Sequence, residues 1–348
     1  MKSHASRPTP PFFAAIALFA AAAAVLGVPG PAPAQQPTVT INIGTLATSG
    51  SLWHDVLMDM GNRWRKAANI RLVAKTEGLG DEENMIRLMR LGQLQGAAVS
   101  TLGLENIAKE CSALSIPLLF KTNEELDYVL ERIKPRLSKA VEAQGYVVLN
   151  WGDVGWVRVF ATKPVKTLAE LKKMPIFTSD GETASLYTEA GFTPRQMGVN
   201  DVLQQLATGG VQAVPAPPLF AAVNQWFGVA KYMIDVRYAP LVGATIISRR
   251  TWEKFDPKTR EVLLREAQAA GDRLKTEIRN MDANTIAEMK KKGLVVVPLS
   301  PEAEKEWQDT AQTFYSRIRG RIVQAADFDE VKGLVEEYRS KPGAQGKK

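Results

Sequence analysis

His54, Cys111 and scattered carboxylates are what this chain offers for nucleophilic, acid–base or metal chemistry. The full sequence of 348 residues holds two histidines and one cysteine. His4 falls in an N-terminal leader-like segment, which leaves His54 as the one histidine of the body. A single imidazole cannot build a paired-histidine metal site, and a Cys–His pair would rest on one distant meeting. Cys111 sits among Ala113, Leu114 and Ile116 and reads as a small buried apolar residue. No Gly-x-Ser-x-Gly elbow, Walker loop or Gly-x-Gly-x-x-Gly turn occurs. Paired carboxylates stay open, because any two acids can meet in space. No cofactor, metal or catalytic residue is expected, and the balance points away from an enzyme.

Charge and hydropathy narrow the class further. Hydrophobic residues make up 45% and charged residues 23%, an ordinary globular balance. Lys2 and Arg7 precede an uncharged apolar run from Phe12 to Leu26, then Pro31-Ala32-Pro33-Ala34 with its small-x-small ending. Residues 1–34 are therefore expected to be a signal peptide, cleaved after Ala34, that exports the chain to the periplasm. The alternative is a retained anchor, although the run is shorter than the roughly 20 residues a spanning helix needs. Cleavage removes two positive charges, taking the net charge from +7 to +5. The remaining basic residues interleave with acids, as in Lys254-Phe255-Asp256, so no nucleic-acid partner is expected. With one cysteine, the exported chain has no internal disulfide.

Several elements can position a site. Val39, Ile41 and Ile43 alternate along a first strand over 38–46. Ser51 caps a helix whose apolar stripe is Val56, Met60 and Trp64. Ile70 to Ala74 reads as a second strand, Asp81 opens a second helix, and Gly96 to Ser100 is a third strand. This β-α-β-α-β opening implies a parallel sheet covered by helices. A helix from about Asn123 to Ala143 follows, then two strands, Tyr146 to Trp151 and Val157 to Ala161. Thr167 and Glu170 form a capping-box pair. Strands at Ile176–Thr178, Val211–Val214 and Ala244–Ser248 alternate with helices at 181–190 and 201–208. From Pro257 to about Lys292 the pattern is one long helix, broken only by Gly271, a spine that can touch two lobes. Two βα clusters meet near residue 155, and ligands in such folds sit in the crevice at the strand carboxyl ends.

The segment from Gly155 to Tyr232 resembles the solute-binding subunit of tripartite ATP-independent periplasmic (TRAP) transporters, the DctP-like family. The matching pieces are Asp153-Val154-Gly155-Trp156, Lys163-Pro164-Val165-Lys166-Thr167-Leu168 and Ala190-Gly191-Phe192-Thr193-Pro194-Arg195-Gln196-Met197. Leu206-Ala207-Thr208-Gly209-Gly210-Val211-Gln212 and Val229-Ala230-Lys231-Tyr232 follow. Looser matches extend the likeness to about residues 40–320. The resemblance implies an α/β, two-lobed periplasmic binding protein fold with a ligand cleft between the lobes and a long helix spanning both. Lobe I is expected over 37–154 plus about 243–285, lobe II over 155–242 plus about 286–335, and a flexible tail over 336–348. It also implies capture of a small molecule by lobe closure and delivery to a permease with large and small membrane subunits.

The resemblance also marks departures. The family arginine that pairs with the ligand carboxylate falls on Phe177, and a second basic position falls on Val157. Arg158 is adjacent, but strand alternation turns it to the opposite face. Phenylalanine offers apolar area and a ring face where a bidentate guanidinium would stand. The ligand is therefore expected to be a small organic molecule, either an organic acid or a less charged compound with an apolar or aromatic body. The candidate binding residues are Trp53, Glu77, Trp156, Arg158, Phe177, Met197, Pro217 and Phe220. Each has a plainer role open to it: core packing for the aromatic residues, a surface ion pair for Arg158, a rigid turn for Pro217. Glu77 and Asp81 can take a ligand or merely start a helix. Arg195 and Gln196 are placed in a loop entering the cleft. Two other classes share these features: a ligand sensor using the same cleft, and a carboxylate-based extracytoplasmic hydrolase.

Overall fold

The computed structural model describes residues 38–342. The expected signal peptide and the last residues of the expected tail lie outside the described residues. In chain order the elements are β1 (Val39–Thr45), α1 (Leu52–Ala68), β2 (Ile70–Lys75), α2 (Glu82–Arg90), β3 (Gly96–Ser100) and α3 (Thr101–Leu104). Next come α4 (Asn123–Ala143), β4 (Tyr146–Ala161), α5 (Leu168–Lys172), β5 (Pro175–Thr178), α6 (Gly181–Glu189), β6 (Thr193–Gln196) and α7 (Val202–Thr208). The chain continues through β7 (Ala213–Ala216), α8 (Pro218–Val223), β8 (Tyr232–Ser248), α9 (Arg249–Trp252) and α10 (Pro257–Lys291). It closes with β9 (Val295–Val297), α11 (Pro301–Ile318) and α12 (Ala325–Ser340).

Local chemistry sets many of the helix starts. Ser51, Asp81, Thr122, Asp180 and Asp256 each accept a hydrogen bond from a backbone N–H in the first turn of the helix that follows. Thr167 and Glu170 close the expected capping box at α5.

The strands form one nine-stranded sheet in the order β2-β1-β3-β8-β4-β7-β5-β6, with β9 beside β8. β1 pairs in parallel with β2 and β3, and β5 in parallel with β6 and β7. Between these two parallel groups run β4 and β8, antiparallel to each other along nearly their whole length. The expected break between Trp151 and Val157 is absent, and β4 is continuous. Register shifts around Asn150, between Asp153 and Gly155, and after Val157 bend it instead. Gly155 takes φ 123°, a conformation that an L side chain rarely adopts. β8 likewise begins twelve residues before the expected Ala244, because its first half finds partners in β4 and β9.

Two apolar clusters build the first half. Ile41, Ile43, Met60 and Trp64 pack on Leu263 and Ala267 of α10, and Trp64 Nε1 donates to Leu263 O at 3.1 Å. Met85, Ile86, Leu114 and Val129 pack with Val331 and Val335 of α12. The second half is held by Phe160, Val202, Val214 and Trp226, with a further cluster around Leu168, Ile176 and Trp307. Each such side chain contributes about 1.5–3 kcal/mol on burial.

Helix α10 runs past both halves, about 50 Å at ~1.5 Å per residue. Gly271 lets it touch the sheet: a Cβ there would meet Trp151 O at 2.2 Å. One expectation needs correction. Residues 336–340 are not a loose tail but the end of α12, where Arg339 Nε pairs with Glu125 at 2.7 Å. α12 as a whole packs on α4, in the first half rather than the second.

Candidate functional site: a cleft at the strand ends

The carboxyl ends of β1, β3, β5 and β7 open on a cleft of ≈ 810 Å³, lined there by Thr45, Ser100, Phe177, Thr178 and Ala216. This is where an open α/β sheet leaves a crevice between loops of opposite connection. Both halves and the hinge strands contribute, Val157 and Gly243 among them.

Part of the wall is aromatic. Trp53 and Phe220 approach edge-on with ring centroids 6.2 Å apart, Phe220 and Trp226 at 5.3 Å, and Phe177 and Trp226 at 6.1 Å. Edge-on contact sets the positive rim of one ring on the negative face of the next. Trp226 is 2% exposed and Phe177 8%, so these rings are core and wall at once.

Another part carries carboxylates. Asp81, Glu82, Glu83, Glu105, Asp153, Asp180 and Glu182 line the cleft, against Lys109 and no arginine among the described residues. Most of these acids have a structural partner. Glu82 accepts from Ser100 N at 2.8 Å and from Ser100 Oγ at 2.6 Å, while burial pushes its carboxyl pKa up. Asp81 and Asp180 cap α2 and α6. Asp153 accepts from Arg279 Nε at 2.6 Å, and the same guanidinium grips Asp127 through both terminal nitrogens at 2.8 and 2.9 Å. Glu105 has no hydrogen-bonded or ionic partner for its carboxyl among the described residues. Burial, then the charges of Asp180, Glu182 and Glu82, push its pKa up to about 8.

The sequence-derived candidates divide. Trp53, Phe177, Pro217 and Phe220 line the cleft, and so does Val157. Glu77, Trp156, Arg158 and Met197 do not. Glu77 is exposed on the loop after β2. Trp156 is 5% exposed and donates from Nε1 to Asn123 Oδ1 at 2.7 Å, so it serves the core. Arg158 faces away from Val157, as strand alternation requires, and pairs with Asp235 at 2.9 Å and Asp282 at 3.7 Å. Met197 packs against the second-half core. Arg195 and Gln196 are not in a loop: they belong to the edge strand β6, outside the cleft. Glu82, Glu105, Thr178 and Asp180 escaped the sequence reading; Glu82, Thr178 and Asp180 lie on or just beyond a strand end or helix start that it marks, whereas Glu105 ends α3, which it does not mark.

Among the described residues no group of three or more potential ligands could hold a metal ion, and no helix is long and apolar enough to cross a membrane. Two α/β halves on a shared sheet, a cleft at the strand ends and a helix running along both define a two-lobed periplasmic binding protein fold. Within that class, the chain belongs to the DctP family of bacterial extracellular solute-binding proteins, family 7, which it matches over residues 43–320. The protein YiiZ of Salmonella typhimurium is 24% identical over 53% of this chain and 58% of its own length. The chain thus spans less than two thirds of that relative. The 2,3-diketo-L-gulonate-binding periplasmic protein YiaO of Escherichia coli is 24% identical over 63% of this chain and 68% of its own length. A TRAP periplasmic solute-binding protein of Ralstonia eutropha H16, solved with bound (S)-2-acetolactate, superposes with a TM-score of 0.79 at 19% identity. It covers 86% of this chain and 99% of that one.

Proposed function

We propose that this protein captures a small organic molecule in the periplasm by closing two lobes on it, and delivers it to a TRAP permease of large and small membrane subunits. The lobes are residues 37–154 with about 243–285, and 155–242 with about 286–324; α12 is assigned to the first on its packing against α4. β4, β8 and α10 are the hinge elements, tied together by the Arg279–Asp153–Asp127 and Arg158–Asp235–Asp282 pairs. Closure needs no covalent chemistry. Ligand binding stabilises the closed form, which the permease reads. Residues 1–34 act as the export signal.

One observation carries the ligand assignment: Phe177 and Val157 line the cleft where the family resemblance calls for basic residues. Two of the relatives named above carry or are named for a carboxylate compound. A carboxylate in this cleft would face a phenyl ring and several acids, and burying it unpaired costs several kcal/mol. The ligand is therefore less negative than theirs, with an apolar or aromatic body. A thermal-shift screen with succinate, sugar acids and matched neutral or aromatic compounds tests this. Stabilisation by the neutral or aromatic set supports the reading. Stabilisation by succinate alone leaves a binding protein but removes this ligand class.

A hydrolase reading keeps one observation in its favour, the free, raised carboxyl of Glu105. Recovery of the bound compound unchanged after long incubation would end that reading.

A further inference from the structure

The chain is basic as a whole, at +7, yet the described residues lining its cleft carry seven carboxyl groups and one lysine. Asp153 is paired with Arg279 and burial keeps Glu105 protonated up to about pH 8, but the remaining acids still outnumber that lysine. Such a concentration against the overall charge is a local field that draws cations and repels anions. The four acids that matter come from both halves. Glu82 and Glu105 stand on the first, Asp180 and Glu182 on the second. Closing the cleft without a counter-charge sets like charges against each other.

A second feature is independent of those acids. Thr178 is 4% exposed, lines the cleft, and its Oγ1 has no hydrogen-bond partner. Buried hydroxyls are almost always satisfied, so a free one in a residue lining the cleft is a group that a ligand could satisfy once the cleft adjusts to it. It sits between Phe177 of the aromatic wall and Asp180 of the acidic one. The indole Nε1 of Trp53, also on the wall, is likewise buried and without a partner, and can only donate.

We propose that the ligand is a small organic cation: its ammonium group sits among Glu105, Asp180, Glu182 and Thr178 Oγ1, its apolar body lies against Phe177, Phe220 and Trp226, and an acceptor on it takes the Trp53 N–H. The proposal rests on the solute-binding reading and names its ligand class. The rings contribute apolar area to the ligand's body.

Calorimetry and thermal shift on the full mature protein, with three matched probes, test it. The probes are tyramine (cationic), tyrosol (neutral) and 4-hydroxyphenylpropionate (anionic), with choline as a second cation. Tyramine or choline is expected to bind at least tenfold tighter than the neutral and anionic probes. Glu105 must give up its proton to meet the charge, so cation affinity rises up to about tenfold per pH unit between pH 6 and pH 8, then levels. The groups facing Glu105 are Glu82 from α2, Lys109 from the helical turn after α3, and Asp180 and Glu182 from α6. Glu105→Gln is expected to lose that pH dependence and most of the cation preference, and Glu105→Asp to restore part of both. Tighter binding of the neutral or anionic probe would overturn the cation while leaving the binding-protein reading intact. If no probe of any charge binds at millimolar concentration, the cation proposal falls, and the solute-binding reading loses its aromatic ligand as well.

Discussion

The aromatic and the carboxylate parts of the cleft are built on opposite terms. Trp53, Phe220, Trp226 and Phe177 contact one another edge-on and continue into the second-half core, so this wall is complete without a ligand. The carboxylate part is not complete. Glu82, Asp81, Asp153 and Asp180 have partners inside the protein, but among the described residues the Glu105 carboxyl has no hydrogen-bonded or ionic partner and is pushed toward neutrality. Apolar surface can serve structure and binding at once, because its packing is non-directional. Charge does so less easily: a carboxylate used by a helix cap is already partly compensated, and one left over is unfavourable until something binds it. On the proposed reading, the ring wall sets the shape of the cleft and the acids favour a positive ligand.

Cutting into the ring wall should have the largest effect. Trp226→Ala removes a side chain that is 2% exposed and touches both Phe177 and Phe220. A loss of about 3–5 kcal/mol in urea unfolding is expected from cavity formation. A loss under about 1 kcal/mol would show that the rings await a ligand and do not form a self-sufficient core, and the contrast would collapse.

Phe177→Arg tests whether the sign can be reversed from the aromatic side. It places a guanidinium at the position where the family resemblance expects one. Succinate at about 100 times its dissociation constant should then add about 2.7 kcal/mol to the folded state, an effect absent from the parent. A folded variant that still ignores succinate would mean that the carboxylates alone exclude acids, whatever the wall opposite.

Glu105→Gln acts on the carboxylate part alone. In the fold the Glu105 carboxyl holds its proton up to about pH 8, whereas in the unfolded chain it ionises near its ordinary value. The native state therefore binds more protons between those limits, so this group lowers stability as pH rises through that window and adds no further change above it. Replacing it with Gln should flatten that fall. The check is the melting temperature of both proteins from pH 4.5 to pH 9, and parallel curves would remove Glu105 from the account.

How much of this was open to the sequence follows the range of the interactions. Capping at Ser51, Asp81 and Thr167 is local and legible, and the long helix from Pro257 was bounded within a residue. β4 reads locally as two strands and β8 as its last five residues, because only the cross-strand pairing of β4 with β8 holds both extended along their whole length. β6 depends on β5, and α12 depends on α4, nearly 200 residues away, so neither could be seen locally. In the site, Val157 lines the cleft and Arg158, offered as a binding candidate, turns away to pair with Asp235, as strand alternation alone implied. The acids were missed for a different reason. Whether a carboxylate is capped, paired or free depends on partners such as Ser100 for Glu82, eighteen residues on. The leftover charge on Glu105 is visible only after every other claim on the acids has been counted.

Thr178→Val should have the smallest effect on stability and the most discriminating one on binding. Its hydroxyl is buried without a partner, so the ligand-free protein carries its desolvation cost unrelieved. Valine keeps the β-branched shape suited to β5, and the ligand-free protein should gain up to about 1 kcal/mol in urea unfolding. The same change removes an acceptor from the cleft, so cation binding should weaken while the apolar body still fits. A ligand contact and a packing defect predict the same gain in stability here and differ in binding. If valine stabilises the protein and leaves tyramine affinity unchanged, Thr178 is an unrepaired fault in the second-half core. If it stabilises and weakens binding together, the free hydroxyl is where the aromatic wall hands the ligand over to the acids.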